Sequence, residues 1–415
     1  MKFFIQINKS VFSSSKSLVR LLKNNDCTCK LEIYNKNCIL IIGNLSSLQV
    51  IPTISSTHFY VFVGNKKLRI SKKFYNFLRK NLTKRQISFV NIFSGAGGFT
   101  TGLINAGLKP IACFDNDVIA CKTLRANHPR INVSNRDIDS INFLEYRNKV
   151  DVLVGGSPCQ SFSEIGLKKG LSDKNGAALL KFIDIIFMVQ PKLFIIENVK
   201  GLKTFEQGRV FKNLLQKLGE KNLYNVEWHL INLENYGIPQ RRRRLFIVGT
   251  LSNLSATPFF PLIKTGDEVI LRDILNNVPN SEGFRYSEKK QALFEQIQQG
   301  GCWIDLPENL QKEYLGMSFY SKGGKRGILR RLSMNESSLT LLCSPSQKLT
   351  ERCHPLEERP LTIREYARVQ TFEDTYTFIG SISAQYRQIG NAVPVKFACQ
   401  LGQRILQISQ YFPGL

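Results

Sequence analysis

The stretch from Ile87 to Gly107 constrains the fold more than any other part of this 415-residue chain. Ile87 to Phe93 has the pattern of a buried strand, Ser94-Gly95-Ala96-Gly97-Gly98 is a glycine loop, and Phe99 to Ala106 reads as a helix closed by Gly107. A glycine loop lets backbone approach a ligand, and the helix start that follows favours anionic or carboxylate-bearing groups. The spacing is not the strict G-x-G-x-x-G of dinucleotide binders, because Thr100 follows Gly95 and Gly97. Asp115 ends the next strand pattern and is placed to accept hydrogen bonds from ribose hydroxyls. Loop and acid together point to a nucleoside-bearing cofactor, and a tight turn with a helix cap is the plainer account of the same residues. Asp137 reads either as a partner for an adenine amino group or as a capping aspartate.

Further apolar runs at Ile111 to Phe114, Val150 to Val154, Leu193 to Ile196 and Leu245 to Val248 alternate with helical stretches such as Leu179 to Val189 and Val210 to Leu218. Strands alternating with helices predict an α/β domain whose mostly parallel sheet is covered on both faces. From Leu251 the rhythm gives way to polar, loop-rich sequence with Gly323-Gly324 beside Lys322, Lys325, Arg326, Arg330 and Arg331, which predicts a second lobe. Regular sequence returns near Pro360, as a helix around Thr362 to Gln370 and another after Pro394. The expected organisation is a module over 1–86, a main domain over 87–250, the lobe over 251–357 and a return to the main domain over 358–415.

Charge narrows the partner. Lysine and arginine number 57 against 32 acids, a net charge of +25, and the first 87 residues hold 16 Lys/Arg with only Asp26 and Glu32 against them. A polyanion is the expected partner. The basic first module, a small α+β pattern, reads equally as a structural cap or dimer contact and as an auxiliary nucleic-acid grip. The ten cysteines include no C-x-x-C pair and there are four histidines, so no zinc site is predicted. No signal-like segment opens the chain and no apolar run reaches the roughly 18 residues of a membrane span, so an intracellular protein is expected.

Three further segments can carry chemistry. Val152 to Gly156 is a strand running into Ser157-Pro158-Cys159-Gln160, which sets a thiol at the carboxyl end of the sheet, where open α/β folds bind ligands. Glu197 follows the strand Leu193 to Ile196 and brings a carboxyl to the same edge, a candidate acid. Gln240-Arg241-Arg242-Arg243-Arg244 leads into a core strand; alternation would give Arg242 and Arg244 one face, suited to phosphate or a base carbonyl.

Taken in order, these segments resemble the DNA (cytosine-5)-methyltransferase family of bacterial restriction-modification type. The resemblance is carried by Phe93-Ser94-Gly95-Ala96-Gly97-Gly98, by Gly156-Ser157-Pro158-Cys159-Gln160-Ser161-Phe162-Ser163, by Glu197-Asn198-Val199 and by Gln240 through Arg242 to Arg244. Arg359-Pro360-Leu361-Thr362-Ile363-Arg364-Glu365 with Ala367-Arg368, and Gln388-Ile389-Gly390-Asn391-Ala392-Val393-Pro394, complete it. It implies a Rossmann-like S-adenosylmethionine-dependent methyltransferase sheet with a smaller target-recognition lobe over 251–357, beside the basic N-terminal module. The implied cofactor is S-adenosyl-L-methionine, with Phe93, Gly95, Gly97, Gly98 and Pro158 at its methionine end, Asp115 at the ribose, Asp137 and Ile138 near the adenine, and Asn391 and Val393 closing the pocket. The chain departs from the family pattern at Asn175-Gly176 and at Asn116, where the family frequently carries an aromatic.

The implied reaction is base-flipping methylation of cytosine carbon 5 in double-stranded DNA, with Cys159 as nucleophile, Glu197 as acid and Arg244, supported by Arg242, on the base carbonyl. Gln160, Ser163, Lys168, Lys169, Gln240, Lys325, Arg326, Arg330 and Arg331 are the expected DNA contacts. A monomer in the bacterial cytoplasm is expected, with a cognate restriction endonuclease as candidate partner. Two other readings compete: methylation of transfer RNA on the same scaffold, and a catalytically silent DNA-binding regulator. Deleting residues 1–85 should weaken DNA affinity and flatten its dependence on salt, read by equilibrium binding at low and high ionic strength. Unchanged binding at both would make the module purely structural.

Overall fold

The computed structural model describes the backbone of residues 2–8, 30–35, 38–44, 48–52, 59–63, 66–70 and 174–176. Backbone and side chains are described over 86–157, 177–254, 258–262, 264, 268–320, 327–347 and 351–409. The chain divides into two compact units, one carried mainly by Met1–Gln86 and the other by Ile87–Ile104 with Leu108–Pro413.

In the first unit, β1 (Lys2–Asn8), β2 (Lys30–Asn35) and β3 (Cys38–Asn44) form an antiparallel sheet ordered β1-β3-β2. β4 (Leu48–Pro52), β5 (Phe59–Val63) and β6 (Lys66–Ile70) form a second antiparallel sheet in sequence order. The stretch beyond β6 that would supply a helical part lies outside the described residues.

The second unit is built on seven strands: β7 (Ser88–Ile92), β8 (Lys109–Asp115), β9 (Val133–Asn135), β10 (Val152–Gly156), β11 (Leu193–Val199), β12 (Tyr224–Asn232) and β14 (Arg243–Leu251). Their order is β12-β14-β11-β10-β7-β8-β9. β11, β10, β7, β8 and β9 are mutually parallel, and β14 alone runs against both of its neighbours. Helices α1 (Gly98–Ala106), α2 (Val118–Asn127), α3 (Lys174–Val189) and α4 (Arg209–Gly219) connect the strands. β7 is buried at every position, as a strand covered on both faces must be. α4 buries Val210, Phe211, Leu214 and Leu218, a single stripe at helical spacing.

β12 is absent from the sequence-based expectation. Asn225, Glu227 and His229 alternate with less polar residues on an edge strand that lacks the continuous apolar run of its neighbours. It reads as loop until its pairing with β14 is known.

The 251–357 stretch is loop-rich, as its sequence predicts, with α5 (Glu288–Glu295), α6 (Glu308–Leu315) and a two-residue pairing of β13 (Gln240–Arg241) with β15 (Ser338–Leu339). Its own core gathers Tyr286, Phe294, Ile297, Leu306, Leu315, Ile328 and Leu329. The chain then returns through α7 (Ile363–Val369), α8 (Ile382–Asn391) and α9 (Val395–Ser409). The Arg359 to Glu365 segment gains its shape from a capping box: Thr362 and Glu365 exchange hydrogen bonds, and Arg359 donates two more to the Glu365 carboxylate. Among the described residues no helix is long and apolar enough to cross a membrane, and no group of His, Cys, Asp and Glu is arranged to hold a metal ion.

One buried carboxylate ties together the starts of three strands. Asp151, 1% exposed, accepts from the Ser88 N–H and Oγ at 2.8 Å each, and its other oxygen lies 3.1 Å from Lys192 Nζ. Burial alone raises this carboxyl's pKa, but the Ser88 donors and the Lys192 ammonium outweigh it and hold the carboxyl below the usual range. A depressed folded pKa contributes stability that is present above the unfolded value near pH 4 and is lost as pH falls through the folded value. Asp151→Asn should therefore cost about 1–3 kcal/mol at pH 7. Its melting temperature should also decline less steeply below pH 4 than that of the native chain, as thermal melts across pH will show.

Candidate active site

The glycine loop leaves the carboxyl end of β7 through two residues in the left-handed region, Phe93 at φ 54° and Gly95 at φ 52°. The first is a bulky residue under backbone strain, of the kind that persists where surrounding structure enforces it. Ser94 N–H donates to Phe114 O at 2.9 Å, which fastens the loop to β8. Asp115, the last residue of β8, accepts from Gly95 N–H at 2.7 Å and from Asp117 N–H at 2.8 Å. Burial pushes its carboxyl pKa up and the backbone donors only partly offset that, so further hydroxyl donors would be favourable there. A Cβ on Gly95 would meet nothing within 4 Å, so the loop faces open space at that point. Ser94 Oγ beside it is buried and has no hydrogen-bond partner among the described residues.

The other side of the loop is packed tightly. A Cβ at Gly98 would fall 2.3 Å from Val393 O and 3.0 Å from Ala392 Cβ, and one at Gly97 would fall 2.4 Å from Leu124 Cδ1. Val393 is buried, whereas Asn391 is exposed and accepts from Cys343 Sγ at 3.0 Å. Tyr376 OH donates to Ala96 O at 2.6 Å inside the loop. Sequence reading missed this tyrosine: it lies 280 positions from its partner, with no motif of its own. Ile138 is buried, and Asp137 is an exposed N-cap whose side chain accepts from Asp139 N–H.

At the same sheet edge, Gly156 of β10 is in register with Glu197 of β11. A Cβ on Gly156 would stand 3.0 Å from Glu197 Oε2, so glycine there leaves the carboxylate its room. Glu197 Oε1 lies 3.0 Å from Arg244 Nε, and both side chains are largely buried. Such a pair, mostly withdrawn from water, needs close geometry to be tolerated, and removing one partner strands the other. Asn198 donates to Ser157 Oγ at 2.8 Å, fixing the residue that leads into Pro158 and Cys159. Pro158, Cys159, Gln160, Ser163, Lys168, Lys169, Lys325 and Arg326 lie outside the described residues.

Three expectations are corrected. Arg242, between β13 and β14, is not turned to a phosphate. Its guanidinium, 2% exposed, turns inward to donate to Leu341 O, Gly390 O and Ala392 O at 3.1–3.4 Å, so it holds backbone rather than phosphate. Gln240, expected at the DNA, is fully buried and bonds Gln370, Arg242 and the Leu341 N–H. Arg331, expected at the DNA, is 5% exposed and donates to Phe294 O, Pro355 O and Glu358. Arg330 is half-buried.

The glycine loop, Asp115 and the Glu197–Arg244 pair converge on one sheet edge, and all lie within residues 87–407, which match the family model for C-5 cytosine-specific DNA methylase. The chain belongs to this family of DNA (cytosine-5-)-methyltransferases. Type II methyltransferase M.Sau96I of Staphylococcus aureus is 43% identical over 342 residues, covering 81% of this chain and 78% of that protein. Type II methyltransferase M.PspPI of a Psychrobacter species is 41% identical over 337 residues, covering 79% and 81%. Among solved structures, the Entamoeba histolytica methyltransferase EhMeth superposes with a TM-score of 0.57 at 20% identity, over 78% of this chain and 99% of that one. S. pombe Dnmt2 gives 0.56 at 17% identity, over 78% and 99%. At such identities these two establish the fold alone.

The contact between Gly98 and the Val393 carbonyl is backbone against backbone and has no flexible side chain to yield. Gly98→Ala in this methyltransferase should cost about 1–3 kcal/mol, read as a lowered melting temperature. An unchanged melt would mean that the loop and the 391–393 segment separate freely.

Proposed function

We propose that this enzyme transfers a methyl group from S-adenosyl-L-methionine to carbon 5 of a flipped-out cytosine in a specific double-stranded DNA sequence, through a covalent adduct with Cys159. The observation that carries the reading is the convergence of Glu197 and Arg244 on Gly156, three residues before Cys159 at the same sheet edge. The cofactor, when bound, supplies an electrophilic methyl on a sulfonium. The residues present suit it: the open face at Gly95 gives room for backbone approach, Ser94 Oγ is an unused buried polar atom, and Asp115 gains from hydroxyl donors. Phe93, Gly95, Gly97, Gly98 and Pro158 would hold its methionine end, Asp115 its ribose, Ile138 its adenine, with Asn391 and Val393 closing the site.

Carbon 5 of cytosine is a poor nucleophile, so the ring must first be activated. The Cys159 thiolate adds to carbon 6 and leaves an enamine, whose excess charge gathers on ring nitrogen 3 and the exocyclic amine. Glu197, as the protonated acid, donates at nitrogen 3 and stabilises that adduct. Arg244 anchors Glu197 through Oε1 and leaves Oε2 turned toward Gly156; its remaining donors are suited to the base carbonyl or a neighbouring phosphate. Once carbon 5 carries the methyl group, loss of its proton to a base or water returns electrons to the ring, and the cysteine leaves by elimination. Flipping the base costs a few kcal/mol, which phosphate contacts of a basic protein offset.

The names of its relatives support a modification role that protects host DNA in a restriction-modification system. A bacterial cytoplasmic setting, a monomeric state and a partner endonuclease acting on the same site follow from that role. Incubation with labelled S-adenosylmethionine and mixed-sequence duplex DNA, in parallel with transfer RNA, followed by nucleoside digestion and mass spectrometry, should give 5-methyldeoxycytidine from the DNA only. Cys159→Ala should abolish turnover while DNA binding survives. Full turnover in that variant sinks the covalent mechanism, and label confined to RNA sinks the substrate.

A further inference from the structure

Gln370 follows α7, is fully buried and belongs to none of the motifs assigned above. Its Nε2 donates to Ile389 O at 2.8 Å and to Ala392 O at 3.1 Å, while its Oε1 accepts from Gln240 Nε2 at 3.0 Å. Its backbone carbonyl accepts from Val395 N–H at 3.2 Å. One residue thus grips both flanks of the Asn391–Pro394 turn. These acceptors lie where α8 ends at Asn391, with Ile389 O shared with the capping Ala392 N–H, and Pro394 prevents the helix from continuing. Arg242 donates to Gly390 O and Ala392 O from the same direction, so the carbonyls on either side of Asn391 are held by two side chains joined through Gln240. The turn also carries the Val393 carbonyl that sits against Gly98.

We propose that Gln370 is a positioning residue for the cofactor site: it fixes the 389–393 turn in the one shape that closes Asn391 and Val393 against the glycine loop. The inference rests on the cofactor reading given above. A buried amide that only filled space would be replaceable by an apolar side chain of its length. A positioning amide is not, because Ile389 O and Ala392 O each lose one donor and keep only the Ala392 N–H and the Arg242 guanidinium respectively, and the turn relaxes toward other partners.

The test uses the full-length chain and binding of S-adenosylhomocysteine, followed by calorimetry without turnover. Gln370→Met keeps the length and removes every side-chain hydrogen bond; Arg331→Met removes a buried guanidinium from carbonyls in the recognition lobe and serves as the stability control. Gln370→Met should weaken S-adenosylhomocysteine binding about tenfold. It should also raise KM for S-adenosylmethionine with kcat unchanged at saturation, and leave DNA affinity within about twofold. Arg331→Met should lower the melting temperature without moving the S-adenosylhomocysteine Kd. If Gln370→Met does not fold, Gln370→Glu keeps the volume and removes the donors, and the same tenfold loss is expected. Native affinity in the Gln370 variant, or a loss no greater than that of Arg331→Met, overturns the inference and leaves the cofactor reading intact. A native chain that binds no S-adenosylhomocysteine overturns both.

Discussion

The site depends on one reversed strand. β10 and β11 run parallel and deliver their last residues, Gly156 and Glu197 to Val199, to a single edge of the sheet. Only a strand running the other way brings its first residues to that edge. β14 does so, and its register sets Arg244 opposite Val199, within reach of Glu197 two positions back. Had β14 entered parallel, its arginine end would lie at the opposite rim, beside Asp151. The electrostatic pairing is therefore a consequence of topology before it is one of side-chain choice. Gly156 completes it by omitting the Cβ that would press on the carboxylate.

The cofactor side obeys a different constraint. A glycine loop open toward a ligand has few contacts of its own on that face, so its position must be imposed from behind. Phe114 O and Asp115 hold it from β8, Tyr376 OH holds Ala96 O, and Val393 O seals Gly98. Asn127 and Thr123 of α2 bind the backbone of Thr377 and Ile379 in turn, so the returning segment is itself anchored beside the loop it supports. Residues distant in sequence determine the shape of a five-residue loop, and that is why the C-terminal return belongs to the same unit as the sheet.

The legibility of the sequence follows from how local each signal is. Strands buried on both faces, such as β7 and β10, announce themselves as apolar runs, and Glu197 reads as a carboxyl at a strand end. The Thr362–Glu365 capping box and the loop at 94–98 are equally local. What the sequence conceals is the partner: nothing in Gln240 to Arg244 says that the Arg242 guanidinium is buried, because its acceptors are the carbonyls of Leu341, Gly390 and Ala392. β12 is hidden for a related reason, since an edge strand with exposed polar positions is defined by its partner. Tyr376 and Gln370 carry no signal at all until the chain has folded back.

The same reasoning changes the meaning of the basic charge. A loop-rich lobe has few ladders in which to satisfy its carbonyls, yet buried carbonyls need donors. Arginine meets that need with a planar fork that reaches several acceptors at once. Arg331 takes Phe294 O and Pro355 O, Arg368 takes Ile274 O, Asn276 O and Asn277 O, and Arg404 takes Pro258 O and Phe259 O. Arg359 and Arg368 are further neutralised by Glu357, Glu365 and Asp374. These guanidiniums add to the net charge, but much of their donor capacity is spent on backbone carbonyls and carboxylates rather than offered to a phosphate. Basicity in this chain therefore has two physical origins, attraction of a polyanion and the bracing of irregular backbone, and only burial and partners distinguish one from the other.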